Sequence, residues 1–420
     1  MIHPARLIPS QLALALWAWG AASGQMVGST ASDPAKQPRA KEEAAAAAAA
    51  AVELVWPAPP EQPRLRWAGA LASERQLGRK ASFFARLKRS IAGVSLSGMY
   101  AISRPYDVTA LDSMRVYLTD GVTPAVIVFD RTVRKVEVLG ADVAGGLAKP
   151  MGLGHDDRGY VYVADQAARR VVVFDEQGHY TRAFGGRDLL VNPVDVAPDR
   201  AANRYYVVDS YLHQVVVFDS TGAVVARLGR NTGPVDTASV APGAHDEIAA
   251  PGGAHPTDSA PAGPHRARGR DVFDNRGAEP AEFRYPISAA VGPDGTLWVV
   301  DQLNFRVQAF DRTGRFLRSF GSMGTTPGSL ARPKGVGVDS EGHVYVADAA
   351  FNNIQVFDAE GRLLLVAASG GPQPGELQLP IGLAVDRNDR IYVADRYNSR
   401  LAMYQYLGTP ADSARAPRAP

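Results

Sequence analysis

The sequence contains no cysteine. That absence excludes disulfides, thiolate metal sites, cysteine nucleophiles and covalent haem attachment. Charge of one sign is missing too. Its 45 Lys and Arg stand against 43 Asp and Glu, and a formal net charge of +2 gives no whole-molecule field to gather nucleic acid. A charge-driven partner must therefore use a local patch. No apolar run approaches the roughly 20 residues that a membrane-crossing helix needs. The signatures G-x-S-x-G, P-loop, HExxH and a strand–helix GxGxxG are absent. What is plentiful is punctuation: 41 Gly and 30 Pro in 420 residues mark a turn-rich chain. That length suits one large core, or two or three domains if no repeat is present.

Residues 1–24 read as a secretory signal peptide. A weakly basic start with His3 and Arg6 leads into the uncharged run 12–22, and Ala22, Ser23 and Gly24 supply small residues before Gln25. A periplasmic or secreted location is the expectation, without a lipid anchor, because no cysteine follows. Residues 25–62 read as a low-complexity linker with eight alanines at 44–51 and the segment WPAPP at 56–60. Residues 408–420 read as a disordered tail.

Self-similarity decides the fold. One strand-like hexapeptide recurs six times: RVYLTD ending at Asp120, YVYVAD at Asp165, RYYVVD at Asp209, TLWVVD at Asp301, HVYVAD at Asp348 and RIYVAD at Asp395. A second follows each, and its aromatic residue (Phe129, Phe174, Phe218, Phe310, Phe357, Tyr404) falls nine residues after the Asp in every copy. Upstream lies a proline (Pro105, Pro150, Pro193, Pro286, Pro333, Pro380), fifteen residues before the Asp in five copies and sixteen in the third. A fourth apolar stretch ends in Gly140, Gly185, Gly229 or Gly321. Each unit thus holds four short strands rich in β-branched and aromatic residues, divided by Gly, Asp and Asn turns.

Four antiparallel strands per ~45 residues describe a propeller blade, since such a sheet buries both faces only when neighbours stack on it radially. Six units predict an all-β, six-bladed β-propeller over residues 63–407. The sixth unit supplies three strands and then loses strand character. An unassigned strand, RLRWAGAL at 64–71, resembles the missing fourth one. The last blade is therefore expected to be closed by this N-terminal strand, with a short N-terminal helix over 73–92 before the first blade.

The pattern P-x-G-[IV]-x-V-D, then [IV]-Y-V-[AT]-D-x-x-N-x-R-[IV]-x-V-F-D and F-G, resembles the NHL repeat, most legibly in residues 333–358 and 380–404. The family includes RNA-binding platforms, extracellular sensor domains, a copper- and zinc-associated peptide-amidating lyase and exported bacterial propellers without assigned chemistry. The WPAPP segment, strand and basic stretch before the first blade resemble the last group. The resemblance speaks strongly for fold and weakly for function.

Alternating strands place the proline turns and the turns after the hexapeptide Asp on one face of the ring, where loops on a rigid frame usually bind. The candidate binding residues there are Arg104, Asp107, Lys149, Asn192, Asp195, Tyr285, Arg332, Lys334, Arg396 and Tyr397. The recurrent Asp165, Asp301 and Asp395 read instead as structural partners of Arg170, Arg306 and Arg400 five residues on. Two positions after the proline, four blades carry Gly152, Ser288, Gly335 or Gly382, whereas the first and third carry Asp107 and Asp195. Two carboxylates at one depth could ligate Ca²⁺, the single cofactor to consider, although two ligands are few; turn capping is the plainer role.

Two further segments stand outside the repeat. The insertion 230–282 is rich in Gly, Pro and Ala and reads as an unstructured excursion beside the same face. His245, His255 and His265 inside it have neither helix nor strand spacing. Residues 73–92 carry six Lys and Arg against Glu74, with Phe84, Leu87 and Ile91 at helical spacing. They suit either a helix docked on the ring or peripheral contact with an anionic membrane. The function expected is an exported, monomeric, non-catalytic module that binds or scaffolds another exported or membrane-associated protein and not nucleic acid. The alternative is a metal-dependent lyase or hydrolase with its site at the channel mouth.

Overall fold

The computed structural model describes residues 53–77, 100–229 and 277–408. The signal-peptide segment 1–24, the poly-alanine stretch, residues 78–92 of the expected helix, positions 230–276 of the insertion and residues 409–420 lie outside them.

Two strands precede the first blade, β1 (Val55–Trp56) and β2 (Leu65–Leu71). Blade 1 is β3 (Pro105–Thr109), β4 (Arg115–Asp120), β5 (Thr123–Asp130) and β6 (Lys135–Leu139), and blade 2 is β7 (Pro150–His155), β8 (Val161–Asp165), β9 (Arg170–Phe174) and β10 (Tyr180–Gly185). Blade 3 follows as β11 (Pro193–Asp199), β12 (Arg204–Asp209), β13 (Gln214–Phe218) and β14 (Val224–Leu228). Blade 4 comprises β15 (Pro286–Val291), β16 (Leu297–Asp301), β17 (Arg306–Phe310) and β18 (Phe316–Phe320). Blade 5 comprises β19 (Pro333–Val338), β20 (Val344–Asp348), β21 (Asn353–Phe357) and β22 (Leu363–Ala367). The sixth contributes β23 (Pro380–Val385), β24 (Arg390–Asp395) and β25 (Arg400–Tyr406). Blades 1 to 5 are each a four-stranded antiparallel meander, so the repeat seen in the sequence is the blade.

Hydrophobic clusters lie between neighbouring blades, as the radial stacking argument requires. Phe184, Tyr205 and Phe218 pack blade 2 on blade 3. Trp298, Phe320 and Phe357 do the same for blades 4 and 5. The ring closes where Val108, Leu118 and Phe129 of blade 1 meet Tyr392, Leu401 and Met403 of blade 6. Each strand-2 hexapeptide alternates between two such clusters, which is why its residues are buried on both faces.

The sixth blade takes its outer strand from β2, with Leu71 facing Leu401 and Leu65 facing Tyr406. β1 then adds a fifth strand through Val55 opposite Arg66. The sheet therefore starts inside the segment read as linker, ahead of residue 63. No α-helix occurs among the described residues. Of the helix expected over 73–92, Glu74–Leu77 forms a single 3₁₀ turn with Leu77 buried between blades 6 and 1, and the rest is outside the description.

Each recurrent Asp ties its own proline turn. Asp120 accepts the amides of Ser103 and Arg104, Asp165 those of Ala148 and Lys149, and Asp348 those of Ala331 and Arg332. Arg170, Arg306 and Arg400 reach Asp165, Asp301 and Asp395 at 3.3, 2.8 and 2.8 Å. Arg400 also donates to the carbonyls of Pro372, Gln373 and Glu376. These arginines hold blade-to-blade loops in three of the six blades, so the recurrent carboxylates and their partners build the face on which the variable residues stand.

Candidate functional site

The strand alternation gathers the proline turns, the strand 2–3 turns and the blade-to-blade loops on one face. Gly229 and Gly277, which flank the undescribed stretch 230–276, belong to it. The end of the insertion is ordered: Arg306 holds the carbonyls of Ala278, Glu279 and Glu282, and Phe283 is buried.

Asp107 and Asp195 do not stand open beside the channel. Asp107 Oδ2 accepts the amide of Leu153 in blade 2 at 2.7 Å, and Asp195 Oδ2 accepts that of Ala289 in blade 4 at 2.9 Å. Asp195 Oδ1 also receives the amide of Val196 at 2.8 Å. Ser288 repeats the device with the amide of Val336 at 3.3 Å. These side chains lace inner strands of neighbouring blades together. The glycines at the matching positions make room for them. A Cβ on Gly152 would meet Cα of Asp195 at 2.5 Å, and one on Gly382 would meet Cα of Asp107 at 2.5 Å.

Burial is the main reason both carboxyls are hard to ionise, and Asp195 adds repulsion to Asp107. Asp107 is raised well above the carboxylate range and Asp195 to about 6. Among the described residues no group of three or more His, Asp or Glu could hold a metal ion. The pair offers a cation two carboxylates already engaged by backbone amides, a poor donor set for Ca²⁺. His155, at the far end of β7, bonds Thr109 Oγ1 through Nδ1 at 2.7 Å, and burial lowers its pKa to about 4.

The positions just after the proline surround the channel mouth: Tyr106, Met151, Val194, Ile287, Lys334 and Ile381. One of the six is charged. Lys334 Nζ donates to Gln302 Oε1 at 3.1 Å. Burial, and then Arg332 and Arg396, depress its pKa to about 8. Arg396 acts on Tyr106 as well, favouring the phenolate against a strong upward push from burial, Asp107, Tyr285 and Asp195. A Cβ on Gly121 would lie 3.9 Å from both Arg396 Nη2 and Arg104 Cβ, so Arg104 borders the same group. Among the described residues Arg104, Arg332, Lys334 and Arg396 enter no ion pair.

The structure thus brings Arg332, Lys334 and Arg396 together, with Arg104 at their edge and Tyr285 close to Tyr106. Asn192 lies on the other side, its side chain bonded to Ser210 Oγ at 2.7 Å, and Lys149 shares the turn held by Asp165. Tyr397 is 67% exposed on the rim, joined on this face by Met323 at 75%, Val122 at 60% and Leu303 at 38%. Tyr106 and Gln302 belong to the mouth as well, on the face that the strand alternation assigns to them. The one available signal was their position, directly after the proline and directly after the hexapeptide Asp.

The NHL repeat model matches residues 330–357 and 377–404, which cover most of the last two blades. Among solved structures, a protein of unknown function from Bacteroides thetaiotaomicron aligns with a TM-score of 0.50 at 16% identity, over 72% of this chain and 70% of that one. An auxiliary nutrient binding protein from the same organism gives 0.48 at 12%, covering 73% and 70%. Virginiamycin B lyase from Staphylococcus aureus gives 0.46 at 11%, covering 74% and 86%. At these identities the likeness concerns fold alone. No curated protein matches the sequence.

Proposed function

We propose that this NHL-repeat six-bladed propeller is a non-catalytic binding module that receives a partner protein on its proline-turn face. The observation that carries the reading is the make-up of that face. Exposed Tyr397, Met323, Val122 and Leu303 surround cations that have no ion pair among the described residues. Exposed apolar groups around a polar centre suit a protein partner better than a diffuse polyanion, since aromatic and other apolar anchors dominate such contacts. The enzyme alternative has less behind it, because the two carboxylates that could have served a metal lace the blades instead. The leader-like segment 1–24 supports export, so the partner is an exported or membrane-associated protein.

Site-specific photocrosslinking in cells tests this. A photoreactive residue replacing Tyr397 is expected to give a discrete adduct, whereas one replacing Val133, in the strand 3–4 turn on the opposite face, gives none. Equal labelling from both positions overturns the reading. So does stoichiometric metal in the purified protein that disappears in an Asp107→Ala, Asp195→Ala double variant.

A further inference from the structure

We propose that the channel mouth is a carboxylate site, in which Arg332, Lys334 and Arg396 with the Tyr106 hydroxyl take the acidic side chain of an otherwise apolar peptide segment. The inference rests on the binding-module reading and names the chemistry of what binds.

Three observations lead to it. The first is unspent charge: Arg332 and Arg396 both act on the Lys334 ammonium, which finds only the amide oxygen of Gln302 at 3.1 Å, and Arg396 Nη2 reaches the turn of blade 1 at Gly121. Like charges held together in a desolvated place are unfavourable unless an anion joins them. The second is the Tyr106 hydroxyl, which makes no hydrogen bond among the described residues while lying within the influence of Arg396. It is a donor left for an incoming oxygen. The third is the lining directly after the proline, where Lys334 alone is charged and blades 2, 3, 4 and 6 present Met151, Val194, Ile287 and Ile381.

One anionic group beside apolar surface fits that lining. A polyanion would leave Met151, Val194 and Ile287 without a complement, and the formal net charge of +2 supplies no wider field for it. Two guanidinium groups favour a planar, bidentate acceptor, and a carboxylate provides one. Lys334 then regains a counter-charge. The buried Asp107 and Asp195, engaged by backbone amides, do not compete for it.

The test is calorimetric titration of the purified protein with an acetylated, amidated nonapeptide carrying one central Glu between leucines. Its Gln counterpart and inorganic phosphate serve as competing probes. Saturable binding of the Glu peptide is expected, with a loss of about tenfold or more for the Gln peptide. Lys334→Met and Arg396→Gln should each weaken the Glu peptide by a similar factor while unfolding at the parent temperature. Phosphate at equal concentration should not displace it. Equal binding of the two peptides, indifference to both substitutions, displacement by phosphate, or no binding of either peptide would each overturn the carboxylate site. The Tyr397 crosslink reports on the face independently, so a carboxylate failure with an intact crosslink leaves the binding-module reading standing.

Discussion

Cutting the side chains of β2 tests whether the sixth blade depends on a strand from the far end of the sequence. Leu65 and Leu71 are 1% and 3% exposed, and they serve different clusters, Leu65 between blades 5 and 6 and Leu71 between blades 6 and 1. A buried Leu→Ala change costs about 2–5 kcal/mol. Because the two sites share no partners, their effects should add. If β2 is the rim of blade 6, either substitution lowers the free energy of peeling β2 away from β25 by that amount. In hydrogen exchange limited by such opening, 2–5 kcal/mol corresponds to roughly 30- to several-thousand-fold faster exchange. The assay is exchange with mass spectrometry on peptides spanning residues 400–406 and 123–130, the third strands of blades 6 and 1. The former should lose protection in Leu65→Ala, more so in the double variant, while the latter changes far less. Val138→Ala, at a 54% exposed position of β6, is the control and should stay within about 0.5 kcal/mol of the parent. Equal acceleration in both peptides, or none at 400–406, would refute the closure argument.

Three other outcomes follow from the inner strands and the mouth. Gly382→Ala sets a Cβ 2.5 Å from Cα of Asp107, so the backbones of blades 6 and 1 must separate, and a loss of about 3 kcal/mol in urea unfolding is expected. Asp195 has a native pKa of about 6 against 3.8 when unfolded, so the folded state binds more protons in between and its stability falls as pH rises from about 4 to 6. Asp195→Asn should remove that contribution, about 3 kcal/mol at most, and leave only the fall that Asp107 causes, as pH-dependent unfolding midpoints will show. Lys334 has the opposite sign. Its native pKa of about 8 lies below the ordinary 10.5, so stability rises with pH between those values by about 3 kcal/mol at most, and Lys334→Met should flatten the rise.

The blade was legible because its determinants are local. The Asp of each hexapeptide binds amides sixteen or seventeen residues upstream, and in blades 2, 4 and 6 it also pairs with an Arg five residues on; both spacings recur in the sequence. Closure could be read for a related reason, since RLRWAGAL has the composition of the strand that the sixth unit lacks. β1 escaped notice because two residues, Val55 and Trp56, leave no periodicity to see. The partners of Asp107 and Asp195 were hidden for another reason. Their acceptor contacts lie 46 and 94 residues away on the next blade, at backbone amides that carry no sequence signal. Those two residues read in the sequence as turn caps or, at most, a sparse cation pair, and their carboxylates fasten neighbouring inner strands. Lys334 was picked out as a surface cation. Its desolvation comes from blades that meet it only in the closed ring, so nothing around residue 334 announced it.

During synthesis β2 leaves the ribosome long before Leu401 exists to face Leu71. For that interval the edge meant for β25 is unpaired and Leu65, Trp67 and Leu71 have no blade to cover them, and β25, once made, is an equally bare acceptor. Any neighbouring molecule at the same stage offers an identical donor. The latch that completes one ring can therefore be exchanged between two, and crowded expression should yield reciprocal dimers that dilution alone converts slowly back to single rings.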